Sequence, residues 1–194
     1  MELSTQIPEM LEGTEVFTSD GQSLGFTVKD FWQFQYSNIY DMQEYIAEFL
    51  VARALGLKVP FNRNGWTLWD LEYQGWKIEV KETGYFHSWR ADGKTSEHRF
   101  FGITKAYSEY QNPDSELKRQ SDIYVFCLNI GNSKEESNPL KMENWEFYVV
   151  PTNLIDEVCR DNKSIGLSRV RKLSEKVSFE NLQSAVESAI SKIG

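Results

Sequence analysis

Cysteine is scarce in this chain, with only Cys127 and Cys159 among 194 residues. Two thiols do not make the paired spacings of a zinc ribbon, and a disulfide framework belongs to smaller, cysteine-dense secreted domains. Long apolar runs are also missing. Runs such as residues 49–52 and 124–128 fall far short of the ~20 residues that span a bilayer, so no membrane partner is expected. The first sixteen residues carry Glu2, Glu9, Glu12 and Glu15 and no basic segment ahead of an apolar one. No secretory signal is read there, and the cytoplasm is the expected compartment. Basic charge is in deficit: 21 Lys and Arg against 29 Asp and Glu leave a net charge of −8. That excludes a protein that coats nucleic acid through general charge, since such affinity comes from neutralising phosphates. It leaves room for an enzyme that touches DNA locally and holds a divalent cation. The phosphate-binding pattern GxxxxGK is absent, and a serine or cysteine nucleophile is not expected.

What is present suits a folded domain, with 40% hydrophobic and 14% aromatic residues. No repeat or linker divides the chain, so residues 1–194 are read as one domain of mixed α/β class. A turn signal falls at Ser19, Asp20 and Gly21, and residues 1–27 are expected to lie as loops or short elements over the core. Residues 38–55 contain neither Gly nor Pro and stop at Gly56, which predicts a helix. Residues 67–73 and 76–82 alternate around Gln74 and Gly75, which predicts a hairpin. Further strands are predicted over 98–104, 123–130 and 146–150, with short helices over 115–120 and 151–160. The run 123–130 is apolar enough to be buried on both faces. Phe179, Leu182, Val186, Ala189, Ile190 and Ile193 recur at helical spacing, so 178–193 should close the domain as an amphipathic helix.

The hairpin brings two acids together. With Gln74 and Gly75 as the loop, Tyr73 faces Trp76, Leu71 faces Ile78 and Trp69 faces Val80, an apolar face. On the other face Glu72 meets Lys77, Asp70 meets Glu79, and Lys81 follows two residues on. Like charges set opposite one another are destabilising by up to ~1 kcal/mol unless something positive lies between them. A divalent cation and Lys81 are both candidates, and a solvated strand face is the plainer alternative. The acid-x-Lys tripeptide itself recurs at Asp92, Glu116 and Asp161, so the context carries more weight than the motif.

On the helix, Met42, Ile46, Phe49 and Leu50 form the expected core face, closed by Arg53. Val51, Ala52 and Leu55 fall on another side, at i+3, i+4 and i+7 from Glu48, so Glu48 interrupts a second apolar stripe. A buried carboxylate needs a partner. Exposure of Glu48, or pairing with Lys58, is the alternative, and Glu44 one turn earlier either shares its role or is solvated.

A helix bearing an acid, then Asp70, then Glu79, Val80 and Lys81 in a hairpin resembles the PD-(D/E)XK nuclease superfamily, which has the restriction-endonuclease-like fold. The segments FWQFQYSNI, AEFLVARALG, WDLEYQGWKIEVKETGYFHSW, RQSDIYVFCL and WEFYVVPTNLID are similar to a group of bacterial members and span residues 31–156. Trp69 stands where the family motif has proline. The resemblance implies a mixed central sheet flanked by helices in the order αβββαβ, with 31–156 as the nuclease-like core and 157–194 as a C-terminal helical extension. It implies that Asp70 and Glu79 are metal ligands, joined by the Val80 carbonyl and Glu48, that Lys81 is the catalytic lysine, and that Glu48 is the helical acid. The implied cofactor is Mg²⁺, with Mn²⁺ as a substitute. The implied activity is hydrolysis of DNA phosphodiester bonds, leaving a 5′ phosphate and a 3′ hydroxyl, in genome defence or repair.

Secondary candidates surround this set. His87, Trp89 and Arg90 follow the hairpin and are candidates for substrate contact, while Trp66, Trp69 and Trp76 read better as core. Arg90, Lys94, Arg99, Lys105, Lys118 and Arg119 make a local basic patch against the acidic total. A homodimer or a recognition partner that assembles a basic cleft is the expected company for such a chain. The alternative function is a catalytically silent module of the same fold that binds nucleic acid or a protein partner.

Overall fold

The computed structural model describes residues 11–58, 67–86, 99–109 and 112–194. An exposed hairpin comes first, β1 (Val16–Ser19) and β2 (Gln22–Thr27), turned at Asp20 and Gly21 as expected. Thr27 and Asp30 then form a reciprocal capping box that starts α1 (Val28–Gln35). A 3₁₀ turn over Ile39–Met42 feeds α2 (Gln43–Ala54), and Gly56 follows at φ 69°, the left-handed exit that glycine adopts without strain.

The central sheet has four strands in the order β3 (Leu71–Tyr73), β4 (Trp76–Gly84), β8 (Ile123–Asn129) and β9 (Trp145–Pro151). Over β3 the hairpin has the predicted register, Tyr73 with Trp76, Glu72 with Lys77 and Leu71 with Ile78, but the ladder ends there. The strand expected from residue 67, with Asp70 paired to Glu79 and Trp69 to Val80, is not formed, because the Asp70 amide already takes the Ile78 carbonyl. Gln74 and Gly75 take φ of 52° and 81°, the two positive values a tight hairpin turn requires. β4 and β8 run parallel, and β8 and β9 antiparallel, so the sheet is mixed. Every residue of β8 is buried, as its unbroken apolar run implied.

The remaining elements are β5 (Phe100–Gly102), β6 (Ala106–Tyr107), β7 (Leu117–Lys118), α3 (Thr152–Cys159), β10 (Ser164–Gly166), α4 (Leu167–Leu173) and α5 (Leu182–Ile190). One face of the sheet packs Ile78, Val80, Val125 and Phe147 against Ala47 and Val51 of α2 and Leu182 and Val186 of α5. The other packs Phe126, Tyr148 and Val150 against Phe101, Ile155, Ile165 and Val170. The mixed α/β expectation therefore holds. Among the described residues no helix is long and apolar enough to cross a membrane.

Four further expectations are corrected. Phe49 is 45% exposed, so of the expected core face Leu50 is buried and Ile46 only partly so, and the buried side of α2 extends to Ala47, Glu48, Val51 and Ala52, the stripe that Glu48 interrupts. The segment expected as a helix over 115–120 holds β7, paired with β6, because a distant strand satisfies its backbone. β5 lies outside the central sheet and pairs with β10 some sixty residues later. Trp69 and Trp76 are only half-buried and belong to neither core cluster.

Candidate metal centre

β4 alternates its side chains, so Glu79 and Lys81 share one face while Val80 and Glu82 share the other. Asp70 stands one residue before β3, where the ladder gives way: its amide donates to the Ile78 carbonyl at 3.0 Å, and its Oδ2 accepts the Val80 amide at 2.7 Å. The carboxylate thus replaces a β3 carbonyl at the end of the hairpin, and its position is held by backbone. The amide and carbonyl of one strand residue point to the same edge, so the Val80 carbonyl faces this end of the hairpin as well.

Lys81 Nζ lies 2.6 Å from Glu79 Oε1 and 3.9 Å from Asp70 Oδ2. Two acids share one base. Their side chains are 17% and 25% exposed for Glu79 and Asp70, and 27% for Lys81, so solvent reaches the group. Burial and then the Asp70 charge push the Glu79 carboxyl above its ordinary range, despite Lys81 and a hydrogen bond from Ser121. Burial acts to lower the Lys81 ammonium, but Glu79 and Asp70 outweigh it and hold it above the usual lysine value. The cluster retains excess negative charge.

Ser121 was not singled out by sequence reasoning. Its Oγ donates to Glu79 Oε2 at 3.1 Å, and its carbonyl accepts the Thr152 hydroxyl at 2.6 Å, tying the site to the start of α3. Next to it, Asp122 accepts the Lys77 amide and returns its own amide to the Lys77 carbonyl, each at 2.8 Å, which locks β8 onto β4. Tyr124 lies beside Glu79 in the β4–β8 register, and burial followed by the Glu79 charge pushes its phenol well up. These residues are adjacent to the site only through strand pairing, which no local pattern reveals.

Glu48 is 6% exposed on the face of α2 that packs toward β4, so its burial is as the second stripe suggested. Among the described residues, however, no three His, Cys, Asp or Glu side chains gather for a metal ion, so the site offers Asp70 and Glu79 as its carboxylate pair. On the reverse side of β4, Glu82 is pushed up to about 8 by burial and then by Glu44, against Arg99. Glu44 is exposed, and its charge also acts on Lys81.

His87, Trp89 and Arg90 lie outside the described residues, as do Trp66 and Lys94. The basic patch is corrected. Arg99 and Arg119 are buried, at 5% and 4% exposure. The Arg119 guanidinium binds the carbonyls of Ile103, Arg160 and Asn162 and the Asp156 carboxylate, which makes it a clamp between segments. Lys105 pairs with Asp161 at 2.8 Å. Gly21, Gln22, Ser23, Leu24 and Gly25 have the spacing of a nucleophile elbow, a match that the expectation against a serine nucleophile passed over. They form the exposed β1–β2 hairpin, where Ser23 Oγ accepts the Gly25 amide at 3.1 Å, not a strand-to-helix turn.

No protein-family model matches the chain, and no curated protein matches it.

Proposed function

We propose that the protein is a metal-dependent nuclease that hydrolyses DNA phosphodiester bonds, with Asp70, Glu79 and Lys81 as its working residues. The observation that carries this reading is the opposition of two solvent-accessible carboxylates across the end of a hairpin, with one lysine between them. A structural ion pair needs one acid for one base, and the second acid here raises the charged-state cost of the first.

The donor set fits Mg²⁺. That ion takes hard oxygen ligands, keeps several waters and is usually bound by one or two carboxylates plus substrate phosphate. Asp70 and Glu79, with the Val80 carbonyl on the same edge, supply that minimum. An ion held there supplies stabilisation of the charge that builds on the phosphoryl oxygens. Lys81, kept as an ammonium by its two neighbours, orients the attacking water and stabilises the pentacoordinate charge. Ser121 holds Glu79 in place through its hydrogen bond. A restriction-endonuclease-like core of mixed strands and flanking helices accommodates this arrangement.

One observation favours the silent-module reading: Lys81 already sits at 2.6 Å from Glu79 and neutralises part of the pair. Incubating the protein with DNA separates the two. The nuclease reading expects cleavage in Mg²⁺ or Mn²⁺ that EDTA and Asp70→Asn both abolish. Intact DNA under all conditions, with metal bound, supports the silent module.

A further inference from the structure

The chain is acidic overall, yet one cleft beside the candidate metal centre has the opposite sign. It holds about 810 Å³, and its charged lining is Lys77, Lys118, Arg119, Lys192 and a single carboxylate, Asp122. The charges in this lining do not cancel internally. Asp122 is engaged by the Lys77 amide, and Arg119 is consumed by carbonyls and Asp156. Lys77 and Lys192 form no ion pair among the described residues; the Lys77 ammonium lies over the Trp69 ring at 4.3 Å. Lys118 pairs with Glu116 at 2.7 Å, but both are more than half exposed, and such a pair is weak and exchangeable.

The cleft also leads to the site. Ser121, which holds Glu79, is in its wall. Trp69 is shared with a second cleft of about 310 Å³, whose charged lining is Asp70, Glu72 and Lys58. Asp70 thus lines the smaller cleft, and Glu79 is joined to the wall of the basic one through Ser121. By contrast another cleft, of about 860 Å³, has Glu143, Glu146 and Glu180 against Lys176 as its charged lining. A polyanion is repelled by that lining and drawn by the other.

We propose that the Lys77, Lys118 and Lys192 cleft binds the phosphate backbone of a nucleic-acid strand beside the scissile bond. This rests on the nuclease reading for the identity of the neighbouring centre. It assigns Lys192, in the turn after α5, a role in positioning substrate, although it lies far along the chain from the carboxylates. Three ammonium groups on flexible stems recognise phosphates as point charges, so the contact is insensitive to base sequence.

Binding is measured by fluorescence anisotropy with a labelled DNA oligonucleotide and its RNA counterpart, each single stranded and as a duplex, in EDTA so that cleavage does not intervene. Lys77→Ala, Lys118→Ala and Lys192→Ala are each expected to weaken binding several-fold. Each should also flatten the salt dependence by about 0.9 in log–log slope for duplex DNA, or about 0.7 for a single strand. Lys176→Ala, in the acidic cleft, should change neither. The comparison of DNA with RNA and of strand with duplex identifies the preferred backbone. If the protein binds and the three lysine variants match the unmodified chain, or if none of the four probes binds, the cleft assignment is wrong. Loss of binding in the lysine variants of a protein that never cleaves upholds the cleft and removes only the nuclease reading.

Discussion

Two carboxylate clusters occupy the same face of the central sheet and are built on opposite rules. On β9, Glu146 meets Arg171 at 3.0 Å, Lys176 at 3.4 Å and the Tyr148 hydroxyl at 2.6 Å. Burial acts to raise its carboxyl, but the hydrogen bonds from Tyr148 and Arg171 and the two positive charges hold it below the ordinary range. On β4, Glu79 has one lysine to share with Asp70, and its carboxyl is shifted upward. The first cluster supplies one acid with more cations than it needs. The second leaves two acids short of one. A surplus of negative charge at a solvent-accessible site leaves a repulsion in the free protein, which the proposed cation would relieve.

The contrast yields predictions of decreasing size. The largest is kinetic: Lys81→Ala should remain folded and metal-loaded while single-turnover cleavage slows by roughly 10²–10³, the usual loss of one preorganised electrostatic group. Arg171→Ala, its counterpart on β9, should leave that rate unchanged. Near-normal cleavage by the Lys81 variant would make the lysine structural and erase the distinction.

Next in size is linkage to metal. Raising Mg²⁺ or Mn²⁺ to about a hundred times its dissociation constant should stabilise the native protein by about 2.7 kcal/mol. Thermal melts of Asp70→Asn should lose that response, while Glu146→Gln should keep it. An undiminished response in Asp70→Asn places the ion elsewhere.

Stability in metal-free buffer should split the clusters by sign. Glu146→Gln is expected to cost about 1 kcal/mol, a figure kept low because Arg171 and Lys176 are 46% and 71% exposed and solvent screens them. Glu79→Gln should be neutral or slightly stabilising at pH 7, since it removes one of two opposed charges. Chemical denaturation of both variants checks this, and a destabilised Glu79→Gln would show that the Lys81 pair outweighs the repulsion.

The smallest effect is in pH. The Glu146 carboxyl is depressed in the folded state, so its stabilisation is fully present above the unfolded carboxylate range and disappears as pH falls through the folded value. The stability difference between the unmodified chain and Glu146→Gln should therefore shrink on acidification below about pH 4.5, the ordinary carboxylate range. A difference independent of pH would mean that packing, not charge, is lost in the variant.

Much of this comparison was legible in the sequence on the β4 side and little on the β9 side. The two-residue turn at Gln74 and Gly75 sets the hairpin register, and register sets which acids meet. Asp70 lies one residue beyond the ladder, yet its carboxylate stays with Glu79 because it caps Val80. Helix periodicity identified two apolar stripes on α2 but not which was buried, because Phe49 looks like core and faces outward. Arg99 and Arg119 look like a basic surface in one dimension. Only the fold shows the Arg119 guanidinium spent on three carbonyls from two distant segments. Ser121 reaches Glu79, and Lys192 the cleft that Ser121 lines, through contacts of long sequence separation that leave no local pattern.

The central claim, that Asp70 and Glu79 form a divalent-cation site, is tested most directly by a crystal structure of the protein soaked in Mn²⁺, with anomalous scattering used to locate the ion. The account predicts a peak bound by the two carboxylates and the Val80 carbonyl, with Lys81 drawn away from Asp70 and no peak at Glu146. No peak at the pair, with the Lys81 ammonium still bridging both carboxylates at high Mn²⁺, would contradict it.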